Sequence, residues 1–79
     1  MAQRTTADET MTRPELAEYL QNLADELERG DDEIAIGVGN RMVHLQPANN
    51  VDVSIEVIER SSKIRGQRET IELELSWKP

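Results

Sequence analysis

Two runs of strict alternation constrain this 79-residue chain more than anything else in it. Val51, Val53, Ile55 and Val57 alternate with Asp52, Ser54 and Glu56. Ile71, Leu73, Leu75 and Trp77 alternate with Thr70, Glu72, Glu74 and Ser76. A period of two marks β-strands with one apolar and one polar face. Ser61 to Gly66 interrupts the pattern between them. A hairpin centred near Ile64 sets Val57 against Ile71, Ile55 against Leu73 and Val53 against Leu75. All the aliphatic side chains then share one face.

A shorter alternation precedes these runs. Ile34, Ile36 and Val38 alternate with Ala35 and Gly37, and Gly39-Asn40 supplies a two-residue turn. That turn sets Ile36 opposite Val43 and Ile34 opposite Leu45. Met42 and His44 then point to the other face, beside Gly37 and Ala35. Pro47-Ala48-Asn49-Asn50 is turn chemistry.

The segment before the strands has a different period. Leu16, Leu20, Leu23 and Leu27 recur every three or four residues, widened by Ala17 and Ala24. Glu18, Gln21, Asn22, Asp25, Glu26 and Glu28 take the opposite side. This is a one-sided amphipathic helix. Thr12 caps it, Pro14 occupies its first turn, Glu15 completes a capping box and Gly30 ends it. Residues 1–11 have no period and read as a disordered tail, within which Met11 is a second candidate start.

One helix followed by four strands with short connections predicts an α+β fold. The sequence reads as an N-terminal amphipathic helix packed on a four-stranded antiparallel meander, spanning residues 12–79 as a single domain. The leucine stripe is the expected cover for the apolar face of the sheet.

Composition removes whole classes of function. With no Cys and one His, thiolate metal sites, disulfide scaffolds and cysteine nucleophiles are excluded. No window of about 18 apolar residues exists to span a bilayer. No hydrophobic signal core opens the chain, so the expected location is cytoplasmic. Sixteen acidic residues against nine basic ones give a net charge of −7, and only Lys63 and Lys78 are lysine. An acidic, lysine-poor surface suits a salt-rich, halophilic setting, where ions screen the repulsion among carboxylates.

The helix ending at Gly30, the alternating strands, the Pro47 turn and the closing Ile71-Glu72-Leu73-Glu74-Leu75-Ser76-Trp77 together resemble the amphi-Trp domain family. The resemblance covers roughly residues 12–77. It implies the fold and supplies no catalytic residue, cofactor or substrate.

Two groups of residues remain as candidate contacts. Arg60, Lys63, Arg65 and Arg68 fall within nine residues that contain no acid. Such a basic loop can meet phosphates or an acidic partner, and equally can offset the acidic bulk by pairing with Glu59 and Glu69. Met42, His44, Asp52, Glu56, Glu72 and Glu74 are expected on one open sheet face, with Asp52 opposite His44. A single His beside a carboxylate makes a poor metal site, and a flat face offers no cleft to separate carboxylate pKa values. Trp77 shares the parity of Ile71, Leu73 and Leu75 and is expected in the core. The chain is therefore expected to be a non-enzymatic interaction module with no cofactor and no small-molecule substrate. It self-associates or binds a protein partner through the open face or the basic loop. Weak nucleic-acid binding through that loop is the alternative.

Overall fold

A computed structural model describes residues 3–30 and 32–79. The candidate start at Met1 lies outside the described residues. The elements are α1 (Arg13–Arg29), β1 (Ile34–Val38), β2 (Arg41–Leu45), β3 (Asp52–Ser62) and β4 (Gly66–Ser76). The α+β class and the N-terminal helix are as the periodicities predict.

The sheet arrangement differs from the expected meander. β1 pairs with β2 and β3 with β4, both antiparallel, as two separate two-stranded sheets. The chain correspondingly divides into two compact units, Met1–Pro47 and Ala48–Pro79. The cause lies in the β2–β3 connection. Residues 46–51 form an irregular link rather than a tight turn, and Pro47 within it has no N–H to give to a ladder. The strands also differ in length, five residues against eleven.

In the first unit, Thr12 caps α1 in an extended conformation. Its hydroxyl accepts from the Glu15 N–H at 3.3 Å, and the Thr12 N–H donates to Glu15 Oε1 at 3.3 Å. Gly30 closes the helix in the left-handed region at φ 70°. The turn at Gly39-Asn40 needs a positive φ only at Gly39 (61°), the pattern of a type II′ turn. It fixes Ile34↔Leu45, Ile36↔Val43 and Gly37↔Met42, as the sequence predicts. Ile34 is the one fully buried apolar side chain among the described residues, at 1% exposure. Residues 3–12 carry no helix or strand. Ala7 nonetheless reaches the turn, close enough for its Cβ to lie 3.3 Å from where a Gly39 side chain would begin.

The helix does not serve as a broad leucine lid. It packs on β1, no α1 residue is fully buried, and Leu16 and Leu20 remain 46% and 45% exposed. The half-buried positions are Tyr19, Leu23, Glu26 and Leu27. Geometry explains the rotation. With a two-residue turn, Ala35 and Gly37 of β1 turn their backbone groups away from β2. Tyr19 Oη donates to the Gly37 carbonyl at 2.7 Å, and Glu26 Oε1 accepts from the Ala35 N–H at 2.9 Å. The helix therefore satisfies the outward edge of β1 with two polar side chains, which blocks further strand pairing there.

Glu26→Ala should leave the Ala35 amide unpaired. We expect a loss of about 1–2 kcal/mol in chemical denaturation and faster hydrogen exchange at Ala35. Tyr19→Phe should cost about 1 kcal/mol. Acid should weaken the helix start. The Thr12 hydroxyl and then the Thr12 N–H hold the Glu15 carboxyl below its ordinary pKa of 4.5. A depressed carboxylate pKa contributes stability above the unfolded value and loses it as pH falls through the folded one. Helicity below pH 4.5 should thus fall more steeply in the wild type than in Thr12→Ala, by circular dichroism.

Candidate functional site: the two faces of the second hairpin

The β3–β4 hairpin forms from the alternation itself. Its register is Val53↔Leu75, Ile55↔Leu73 and Val57↔Ile71, centred on Ile64 as predicted. Lys63, Ile64 and Arg65 make the turn. The Ser62 hydroxyl accepts from the Ile64 and Arg65 N–H groups, both at 3.2 Å, and Gly66 re-enters the strand at φ 80°. Both strands run for eleven residues, so the ladder extends well beyond a minimal hairpin.

Parity sorts the side chains onto two faces. The aliphatic face carries Val53, Ile55, Val57, Ile71, Leu73 and Leu75 and ends toward the turn at the Glu59↔Glu69 rung. These aliphatics are not covered: Ile55 is 67% exposed and Ile71 76%. Leu75 and Trp77 are half-buried, Trp77 lying one residue past the end of β4.

The polar face carries Asp52, Glu56, Glu72 and Glu74 toward the open end and Arg60 and Arg68 toward the turn. Arg60 stands directly opposite Arg68, and Glu56 directly opposite Glu72. With Glu59↔Glu69, three rungs of one hairpin oppose like charges, each destabilising by a few tenths of a kcal/mol to about 1 kcal/mol. Among the described residues no salt bridge joins any two hairpin side chains. Glu59 and Glu69 therefore form no direct ion pair with the basic loop.

The predicted sites sort as follows. Arg60, Lys63, Arg65 and Arg68 come together at the exposed hairpin tip, and Asp52, Glu56, Glu72 and Glu74 share one face. Met42 and His44 lie on β2, in the other two-stranded sheet. His44 Nδ1 lies 3.0 Å from Glu33 Oε1, and Asp52 stands opposite Ser76. Both members of the His44–Glu33 pair are more than half exposed, so the contact contributes little.

Tyr19 and Glu26 were not among the residues expected to matter. They line an open groove with Leu23, Ile36 and Met42, where both polar tips are already spent on β1. The signal for them was present: positions 19, 23 and 26 fall on one helical face. Among the described residues no three His, Cys, Asp or Glu side chains gather as a metal-binding group, and no helix is long and apolar enough to cross a membrane.

The like-charge rungs make a direct test. Glu59→Lys should stabilise the protein by about 0.5–1 kcal/mol at low salt, by pairing with Glu69 across the ladder. The gain should shrink in molar salt, measured by denaturation at both ionic strengths.

The family model of the Amphi-Trp domain matches residues 2–79. That span leaves out a single residue, and the chain belongs to the Amphi-Trp domain family. No curated protein and no solved structure matches it.

Proposed function

We propose that this Amphi-Trp domain is a small non-enzymatic interaction module that docks a protein partner on the aliphatic face of its second hairpin. One observation carries this reading. Val53, Ile55, Val57, Ile71 and Leu73 form a continuous cross-strand ladder, each between 52% and 76% exposed. Single exposed aliphatics are ordinary, but a contiguous set marks a contact surface. A two-stranded hairpin is also marginal alone and gains stability from whatever covers it.

The magnitudes fit a modest affinity. Covering the remaining apolar area of five such side chains is worth on the order of 5 kcal/mol gross. Association itself costs a comparable amount, so polar contacts around the rim have to supply the surplus. The acidic, lysine-poor composition supports a salt-rich cytoplasm as the setting, where screening eases the like-charge rungs.

A second reading rests on the hairpin tip. The Arg60–Arg68 rung and the turn cations Lys63 and Arg65 form an exposed basic end, the electrostatic footprint for phosphates. The acidic remainder and the absence of stacking aromatics at the tip disfavour it. Titration with a single-stranded oligonucleotide would move the amide signals of residues 60–68 and lose that effect as salt rises. Unmoved signals at low salt end the reading.

Ile71→Glu tests the docking face. Ile71 is 76% exposed, so the substitution should alter folding stability by no more than about 0.5 kcal/mol. In affinity capture from native lysate, we expect a stoichiometric protein retained by the wild type and by Glu74→Gln and lost by Ile71→Glu. An identical bound set for all three refutes the aliphatic face as the docking surface.

A further inference from the structure

The polar face of the β3–β4 hairpin matches its own image. Its charges divide into an acidic half (Asp52, Glu56, Glu72 and Glu74) and a basic half (Arg60 and Arg68 with the turn cations Lys63 and Arg65). The two halves meet at the uncharged Ile58↔Thr70 rung. Ile58 and Thr70 are half-buried, while the charged rungs on either side are exposed. We propose that two copies of the chain associate back to back through these polar faces, about a two-fold axis that lies between the two sheets and runs parallel to the Ile58–Thr70 rung.

The placement follows from strand geometry. A strand advances about 3.3 Å per residue, so the Glu56–Glu72 and Arg60–Arg68 rungs stand about 6.6 Å to either side of that axis. A two-fold rotation about that axis turns the face over and exchanges its two ends, while each strand lies over the same strand of the second copy. It sets Glu56 against Arg60 of the second copy and Glu72 against Arg68 of the second copy, and the same contacts recur in reverse. Further out, Ser54 comes over Ser62 and Glu74 over Gly66 of the second copy, where no bulky group obstructs them. Asp52 comes over the turn that carries Lys63 and Arg65. Aligned sheets pack about 10 Å apart, a gap that a Glu and an Arg side chain close together.

The association also answers a cost inside each chain. Neither the Glu56–Glu72 nor the Arg60–Arg68 rung makes an ion pair with an opposite charge within the hairpin. In the pair of copies, each like-charged rung faces two charges of opposite sign. The contact is small. Two eleven-residue strands present roughly 350 Å² on one face, well short of the about 800 Å² per partner of a standard stable interface. The dimer is therefore weak, concentration-dependent and dissociated by salt, because exposed ion pairs contribute little each and are screened further as ionic strength rises.

This arrangement stands on different residues from the aliphatic docking face and goes beyond it. Back-to-back pairing leaves both aliphatic ladders facing outward, so one dimer presents two docking faces and acts as a bivalent connector.

Sedimentation equilibrium at low salt tests the proposal with four variants. Arg60→Glu/Arg68→Glu makes both rungs beside the axis acidic, and Glu56→Arg/Glu72→Arg makes both basic. Each keeps two like-charged rungs, so the internal strain of the hairpin is held constant. Each double variant alone should associate at least about tenfold more weakly than the wild type, and the two mixed together should form a heterodimer. The fourfold variant that exchanges both rungs keeps the net charge of the chain and should dimerise like the wild type. Ile55→Ser/Leu73→Ser should also keep the dimer, with folding checked by amide dispersion. A monomeric wild type, a monomeric fourfold variant that is folded, or double variants that self-associate undiminished would overturn the proposal. Loss of the dimer in folded Ile55→Ser/Leu73→Ser would overturn it too, by assigning the association to the aliphatic face instead.

Discussion

The register of the long hairpin is the constraint on which both of its surfaces depend. The turn at Lys63–Arg65 fixes Ser62 opposite Gly66, and every rung beyond follows from that one pairing. A slip of one residue in either strand would send its aliphatics to the polar face and its carboxylates among the aliphatics. The Ser62 hydroxyl, bonded to two turn amides, and the left-handed Gly66 hold the turn that prevents it. Sequence parity thus becomes two chemically opposite faces, with three like-charged rungs as its consequence. The hairpin accepts that electrostatic cost because exchanging the charges onto the other parity would cost it the aliphatic ladder.

The first unit solves a different problem. A five-residue hairpin has few rungs and two bare edges, and it cannot stand alone. The helix supplies one buried contact around Ile34 and, more specifically, two hydrogen bonds to the outward backbone of β1. Tyr19 and Glu26 sit seven residues apart, two helical turns, and so project from one face of the helix toward Gly37 and Ala35. The capping box at Thr12 and Glu15 fixes where the helix begins, and Gly30 fixes where it ends. Those two limits decide which residues reach β1.

What could be seen in the sequence follows the range of the interactions. Helix limits, both turns and both registers are local, set by Thr12, Gly30, Gly39, Gly66 and the parity of neighbouring side chains, and all of them agree with the structure. The pairing of β2 with β3 is not local. Short connections made it look inevitable, yet Pro47 and the mismatch in strand length leave the two hairpins as separate sheets. The expectation of Asp52 opposite His44 rests on that one non-local step. The role of the helix was obscured for another reason. Four leucines suggested an apolar seal, whereas the decisive contacts come from Tyr19 and Glu26, whose value depends on backbone groups no periodicity reveals. Grouping Asp52, Glu56, Glu72 and Glu74 on one face succeeded because that grouping needs only strand parity.

Salt acts on this molecule in two opposing ways, and the opposition has a structural origin. Within one hairpin the charged rungs oppose like with like, so screening stabilises the folded chain. Between two hairpins related by the proposed two-fold axis the same rungs oppose unlike charges, so screening weakens association. Aliphatic contacts behave in the contrary sense, since salts excluded from the protein surface strengthen burial. A chain with an acidic, lysine-poor surface, an aliphatic ladder on one face of its longest hairpin and a self-complementary charge pattern on the other would, under both proposals, separate its two kinds of contact by ionic strength. Rising salt would then shift the balance from the proposed polar pairing between copies toward the proposed aliphatic docking, through one register.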